Sequence, residues 1–318
     1  MTTLSLKLAA TLSSLAAGAL ILSGCSAAPA DAQSEAPMHE VASDFGTVSL
    51  PVNPQHAVGF YTTDVDILIT LGIPLADRQP IRGVNGYETF PSFFDQDAIK
   101  NVTTFTNFPE YNFEEVLQAD PDFILNGIGY EEDVVKRLPE IAPTYSIDAF
   151  AGTDWRIPFK KIAVALDREK EYQAWVDTYD ARVAEIRAQL TERGIDPVVS
   201  PVSPMGDEIN VSCYGVPCLV FADLGLRIEP LAEGQEGTTL SLEEVDQLSG
   251  IDFAFTTMTP QGLVKKEDPF AELAGNSLWE ALPFVQNKAV HAHDLQMLFG
   301  SPSAHMAFLD EVEAALLG

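Results

Sequence analysis

NFEEVLQADPDFIL (residues 112–125) is written almost again as SLEEVDQLSGIDFAF (residues 241–255). In each copy a helix-capping residue, Asn112 or Ser241, stands three positions before a glutamate, Glu115 or Glu244. That spacing is a capping box, in which cap and glutamate each offer an acceptor to N–H groups that a helix start leaves unpaired. An apolar residue precedes each cap (Tyr111, Leu240) and a valine fills the fourth helical position (Val116, Val245), which completes a hydrophobic staple. A break follows, Asp120-Pro121 or Ser249-Gly250, then a buried-strand run, DFILNG or DFAFTT. The phrase predicts helix, turn and strand once in each half of the chain.

The flanking segments extend this reading. In the first half HAVGFY, DFILNG and TYSI read as strands, and TDVDILITLG and EEDVVKRLPEIA as helices. In the second half PVVSPV and EINVSC read as paired strands, CLVFADLG as a helix, DFAFTTM as a strand, LWEALPFV as a helix and AVHAHD as a strand, with SAHMAFLDEVEAALL as the closing helix. Between the halves, residues 168–194 lack proline, and Tyr172, Trp175, Tyr179, Val183, Ile186 and Leu190 recur at helical spacing. This predicts one amphipathic helix of about 26 residues, roughly 39 Å long, stopped by Gly194. The expected fold is α/β: two Rossmann-like lobes, residues 46–153 and 195–318, joined through a helical segment at 154–194, with a cleft between them.

The chain carries 18 Lys+Arg against 47 Asp+Glu, a net charge of −29. Nucleic acid is excluded as a partner, because binding it needs a basic surface. The same acidity argues against electrostatic attachment to anionic lipid. The N-terminus offers another route to a membrane. Lys7 precedes an apolar run from Leu8 to Leu22, too short to span a bilayer and suited to a signal peptide over residues 1–24. The run ends in Leu22-Ser23-Gly24-Cys25, which resembles the bacterial lipobox, whose cysteine is acylated. Residues 25–45, rich in Ala, Pro and Ser, read as a flexible tether with a reach of about 25 Å. Cys213 and Cys218 remain in SCYGVPCL; a local disulfide and two free thiols are both open readings, and two close cysteines without a nearby histidine give half a zinc site.

The chain as a whole, over residues 45–317, resembles the helical-backbone solute-binding lipoproteins of iron-siderophore and vitamin B12 ABC importers. The likeness rests on FGTVSLPVNPQHAVGF (45–60), the 112–125 phrase, the linking helix, CLVFADLGL (218–226), SLWEALPFVQNKAVHAHD (277–294) and GSPSAHMAFLDEVEAAL (300–316). GTVSLPVNPQ is most similar to the iron-siderophore branch. The resemblance implies an exported monomer, lipid-anchored to the outer face of the cytoplasmic membrane. It would pass its cargo to an ABC permease dimer with a cytoplasmic ATPase. In this family one acidic residue on each lobe docks onto the permease. Glu115 and Glu244 belong to the capping boxes, so the resemblance assigns docking to Glu114 and Glu243.

A cleft between such lobes is lined from strand ends and the loops after them. The expected ligand contacts are Tyr61, Arg82, Tyr87 and Tyr130 from the first lobe, Trp155 and Arg156 from the linking segment, and Met205, Tyr214, Met258 and Phe299 from the second. Aromatic rings suit the apolar rim of a bulky chelate, and arginine suits the oxygens around a metal. Few cations on an acidic body favour a ferric hydroxamate over an anionic catecholate complex; haem or cobalamin is the alternative cargo. An enzyme is the rival class. His291 and His293 share one face of a strand and could begin a metal site, yet no nucleophile elbow, phosphate loop or dinucleotide fingerprint is present. No catalytic residue, metal site or cofactor is expected.

Overall fold

The expected tether gives way to structure before it ends. The computed structural model describes residues 37–149 and 154–318, and in it β1 (Met38–Ser43) and β2 (Gly46–Pro51) form an antiparallel hairpin. The hairpin lies on the linking segment: His39 Nε2 is 3.1 Å from the carbonyl of Ala165, and Lys161 pairs with Asp44 at 3.0 Å. Residues 38–45 are therefore part of the folded body. Their short alternation of half-buried and exposed positions carries too few apolar residues to stand out from the Ala- and Pro-rich stretch before it. The signal peptide, Cys25 and the remainder of the tether lie outside the described residues.

In the first lobe β3 (Ala57–Gly59), α1 (Thr62–Thr70), β4 (Arg78–Ile81), α2 (Gln96–Ile99), β5 (Thr103–Thr106), α3 (Phe113–Gln118), β6 (Phe123–Asn126), α4 (Glu132–Arg137) and β7 (Thr144–Ser146) alternate along the chain. Its strands pair in parallel, in the order β3-β6-β7 and β4-β5. Parallel strands need crossover connections and are covered on both faces, and all four residues of β6 are buried. Gly59 permits the tight turn from β3 into α1, since a Cβ there would lie 2.5 Å from the backbone nitrogen of Val65.

The linking segment is two helices, α5 (Arg156–Ala165) and α6 (Glu169–Arg193). The α6 rod matches the span read from its periodicity. It ends as expected at Gly194, whose φ of 66° lets Ile195 N–H bond back to the Leu190 carbonyl at 2.9 Å. Its apolar stripe serves both lobes. Tyr172 and Trp175 pack on the core shared by the first lobe and α5, while Tyr179, Val183, Ile186 and Leu190 enter the core of the second lobe. Each fully buried side chain of that kind contributes about 1.5–3 kcal/mol by leaving water.

The second lobe comprises β8 (Val198–Pro201), β9 (Ser203–Met205), β10 (Glu208–Val211), α7 (Val216–Leu224), β11 (Arg227–Ile228), β12 (Thr238–Ser241), β13 (Phe253–Met258), α8 (Pro260–Lys265), α9 (Ser277–Glu280), α10 (Pro283–Gln286), β14 (Val290–Asp294) and α11 (Pro302–Leu317). Its main sheet is parallel, ordered β11-β8-β13-β14, and a smaller antiparallel sheet is ordered β12-β10-β9. Three sequence expectations change here. PVVSPV and EINVSC are strands but do not pair: β8 joins the parallel sheet and β10 the small one. LWEALPFV is two short helices, because Pro283 starts a new one with Leu282 as its cap. The second copy of the repeated phrase makes a 3-10 turn over Val245–Gly250 in place of an α-helix. Ser241 is held at the end of β12, and the reach-back half of its box survives, with Ser241 N–H donating to Glu244 Oε2 at 3.2 Å. In the first copy the other half survives. Glu115 N–H donates to Asn112 Oδ1 at 3.2 Å, while the Glu115 carboxylate pairs with Arg78.

Candidate ligand-binding site

A chamber of about 400 Å³ opens between the lobes around Arg82. Arg82 follows β4, and β4 is fixed to β3 by the buried Gln79. That side chain accepts from Gly59 N–H at 3.0 Å and donates to the Ala57 carbonyl at 2.7 Å. Arg82 is 7% exposed, and its guanidinium lies against three aromatic rings: Phe299 at 4.0 Å, Phe108 at 4.4 Å and Tyr61 at 5.2 Å from the ring centres. Its Nε donates to Asn85 Oδ1 at 2.9 Å, and it forms no ion pair among the described residues. Burial pulls its pKa below the ordinary value, and the surrounding tyrosine hydroxyls act in the opposite direction. A guanidinium stays charged under such a shift. The result is a desolvated, stacked cation, a setting in which hydrogen bonds to an anionic oxygen are strong.

Tyr130 and Tyr214 complete the wall with Asp148. Five of the ten ligand contacts expected from sequence thus meet here: Tyr61, Arg82, Tyr130, Tyr214 and Phe299. Two lining residues had no sequence signal. Phe108 lies in a polar loop that Asn107 anchors, donating to the Phe60 carbonyl at 2.7 Å and accepting from Asn112 N–H at 2.6 Å. Asp148 follows β7 in an irregular stretch. Tyr61 is the extended residue before α1, held by its N–H to Asp64 Oδ2 at 3.0 Å. Tyr214 is carried on a short loop closed by a disulfide between Cys213 and Cys218.

The other expected contacts sit elsewhere. Tyr87 is buried, donates its hydroxyl to Asp294 Oδ1 and accepts from Gln296 N–H at 2.9 Å; burial, and then the Asp294 carboxylate, push its pKa well up. Arg156 pairs with Asp154 at 2.6 Å and Asp223 at 2.7 Å. Trp155 lines a second cavity, beside Tyr214 and Phe299. Met205 is exposed in the β9–β10 hairpin, and Met258 ends β13; neither lines these two cavities. His291 stacks on Phe253 and Phe255, and burial lowers the pKa of His293, packed on Phe308, to about 3. Among the described residues no cluster of three metal-ligating side chains occurs.

The family model for a periplasmic binding protein matches residues 58–295. The chain belongs to the periplasmic binding protein family. This binding protein is 23% identical over 94% of both chains to a probable siderophore-binding lipoprotein, YfiY, of Bacillus subtilis. It is 24% identical to the iron(3+)-hydroxamate-binding protein FhuD of the same organism, over 78% of this chain and 76% of that one. Among solved structures, Staphylococcus aureus SirA complexed with staphyloferrin B superposes with a TM-score of 0.67 at 22% identity, covering 88% of this chain and 98% of that one. A periplasmic solute binding protein of Mycobacterium smegmatis superposes at 0.70 with 16% identity, over 88% and 98%. These likenesses establish the fold of two α/β lobes on one long helix.

The lobes of this periplasmic binding protein are fastened to each other and to the linker away from the chamber. Asp66 of α1 accepts from Ser303 N–H at 2.8 Å and Ser303 Oγ at 2.6 Å at the start of α11. Trp155 Nε1–H donates to His305 Nε2 at 2.6 Å, and Arg156 bridges to Asp223 of α7. Tyr87 and Asp294 form the fourth fastening. Glu114 and Glu243 are exposed, one on each lobe, and neither forms an ion pair among the described residues.

Proposed function

We propose that this protein captures a ferric siderophore, of hydroxamate type, and delivers it to the permease of an ABC importer. The observation that carries this reading is the Arg82 guanidinium, buried and stacked among aromatic rings in a chamber between two lobes. A ferric chelate presents oxygens to such a cation and an apolar rim to the rings. One cation in the chamber lining, on a chain of net charge −29, suits a chelate with little negative charge of its own, although salt screens remote charges beyond roughly 8 Å. The names of the relatives, siderophore-binding and iron(3+)-hydroxamate-binding, support the same cargo.

Export by the N-terminal signal and acylation at Cys25 would hold the protein at the outer face of the cytoplasmic membrane. Glu114 and Glu243 would seat one on each half of a permease dimer, a pseudo-twofold protein meeting a twofold partner. Binding involves no bond making. The test is a tryptophan-fluorescence titration of the purified protein with ferric hydroxamates, ferric catecholates, haem and cobalamin. Tight quenching by a ferric hydroxamate is expected. A response to haem or cobalamin with none to any ferric chelate would overturn the reading.

A further inference from the structure

Beside the Arg82 chamber lies a second cavity of about 240 Å³, and the two share Tyr214 and Phe299 as a common wall. Its lining has a different character. Val216, Leu219 and Leu298 contribute aliphatic surface, the Cys213–Cys218 disulfide contributes sulfur without a thiol proton, and Trp155 contributes an indole ring. Gln235 lies exposed on the lining, and two of the other polar side chains there are already engaged. The Trp155 N–H is donated to His305, and the Asp154 carboxylate is held by Arg156. What the cavity offers a ligand is therefore mainly apolar contact.

Its walls are held together by close backbone packing. The disulfide loop and the segment before α11 approach so closely that a Cβ on Gly215 would lie 2.1 Å from the Leu298 carbonyl oxygen. A Cβ on Gly300 would lie 3.1 Å from the Trp155 ring. Substituents at either glycine would push apart the walls that define the space, and both have positive φ, 73° and 77°.

We infer that this annex receives an apolar arm of the same ligand whose oxygens face Arg82, so that the cargo is an amphiphilic chelate. The inference rests on the proposed function and narrows it to ferric hydroxamates bearing an aliphatic substituent. The shared lining by Tyr214 and Phe299 sets the two cavities side by side and names the occupant: an arm attached to a chelate in the first chamber has only those two rings to pass on its way into the second. Each methylene that leaves water in such a site is worth roughly fourfold in affinity.

The test uses two probes of equal charge, the N-acetyl and N-octanoyl amides of ferrioxamine B, titrated against the purified protein by tryptophan quenching. The octanoyl amide is expected to bind at least about tenfold more tightly, since burying two methylenes suffices. Ala149→Phe, which fills the annex from its rim, and Leu219→Ser, which makes its wall polar, should each shrink that ratio towards one while leaving acetyl-amide affinity unchanged. Equal affinity of the two amides for the wild-type protein would overturn the annex inference alone. Binding of neither amide would overturn the hydroxamate reading together with the annex role built on it. A tail preference that survives both substitutions would place the arm elsewhere and sink the assignment.

Discussion

Trp155 and His305 meet at 2.6 Å, an indole N–H donated to an imidazole nitrogen, and both rings are buried. The pair joins the linking segment to α11. Burial, reinforced by the charge of Arg156, holds the His305 pKa well below its ordinary value, so the ring stays neutral and its Nε2 stays an acceptor. Two outcomes are expected. Trp155 emission should not titrate between pH 5 and 8. His305→Ala should cost about 2–4 kcal/mol in urea unfolding, by leaving a buried donor unpaired and a cavity behind. A cost within 0.5 kcal/mol, roughly that of a neutral surface change, would show that the contact does not hold the linker.

Arg82 should dominate ligand affinity. A charge-assisted hydrogen bond is worth about 1.5–3 kcal/mol, roughly tenfold or more in the dissociation constant. Arg82→Leu is expected to lose at least that much affinity for a ferric hydroxamate. Arg82→Lys should recover only part of it, because a lysine keeps the charge but lacks the planar fork and the stacking face. Full recovery in the lysine variant would mean that the site needs a point charge and nothing more.

The exposed acids make a separable prediction. The double variant Glu114→Ala, Glu243→Ala should abolish radioiron uptake by cells while the purified protein keeps wild-type affinity for the chelate. Weakened binding in the purified variant would move these residues from docking to the ligand or the fold.

Asp64 sets a pH dependence of stability. Burial raises its pKa to about 8, although the Gly127 N–H bonded to its carboxylate works in the other direction. An acid with a raised folded-state pKa keeps a proton that the unfolded chain releases. Its contribution is fully present below about pH 4 and is lost as pH rises towards 8. Asp66 acts in the same sense. His293, lowered to about 3, acts in the opposite sense, its contribution falling as pH drops from 6.5 towards 3. The difference in unfolding free energy between wild type and Asp64→Asn isolates the first effect. It should decline between pH 4 and 8 with a slope of at most about 1.4 kcal/mol per pH unit, and a flat difference would count against a protonated Asp64.

Removing the disulfide should matter twice. Cys213→Ser with Cys218→Ser opens a very short loop, which chain entropy values at about 2 kcal/mol. The variant should also bind ligand more weakly, because the closed loop holds Tyr214 in the chamber wall. Lost stability with unchanged affinity would show that Tyr214 finds its place without the bond.

Much of this architecture was legible in the residues. The α6 rod declared itself because a long helix repeats its stripe many times, and the strands at 123–126 and 253–258 because burial on both faces makes continuous apolar runs. The β1–β2 hairpin did not, since six-residue strands with few apolar side chains leave little alternation to read. The 3-10 turn at 245–250 hid behind a capping pattern, because Ser241 was already committed to β12. At the site, Arg82 could be picked out as a cation in a chain poor in them. Arg156 carried the same signal, and Tyr87 that of an aromatic ring in a loop, but they are held internally by Asp223 and Asp294, and sequence does not reveal where an acid partner will fall. Phe108 and Asp148 come from irregular loops, where no period marks a residue as facing a cavity.

The four clasps, two between the halves at Asp66 and Tyr87 and two from the linking segment to the second half at Trp155 and Arg156, have a bearing on how a transporter would tell a full carrier from an empty one. Halves stapled this way have little swing, so occupancy would be written in the few rings at the rim of the groove and in the shape of the cargo itself. The signal available to a membrane partner would then be a change of surface texture.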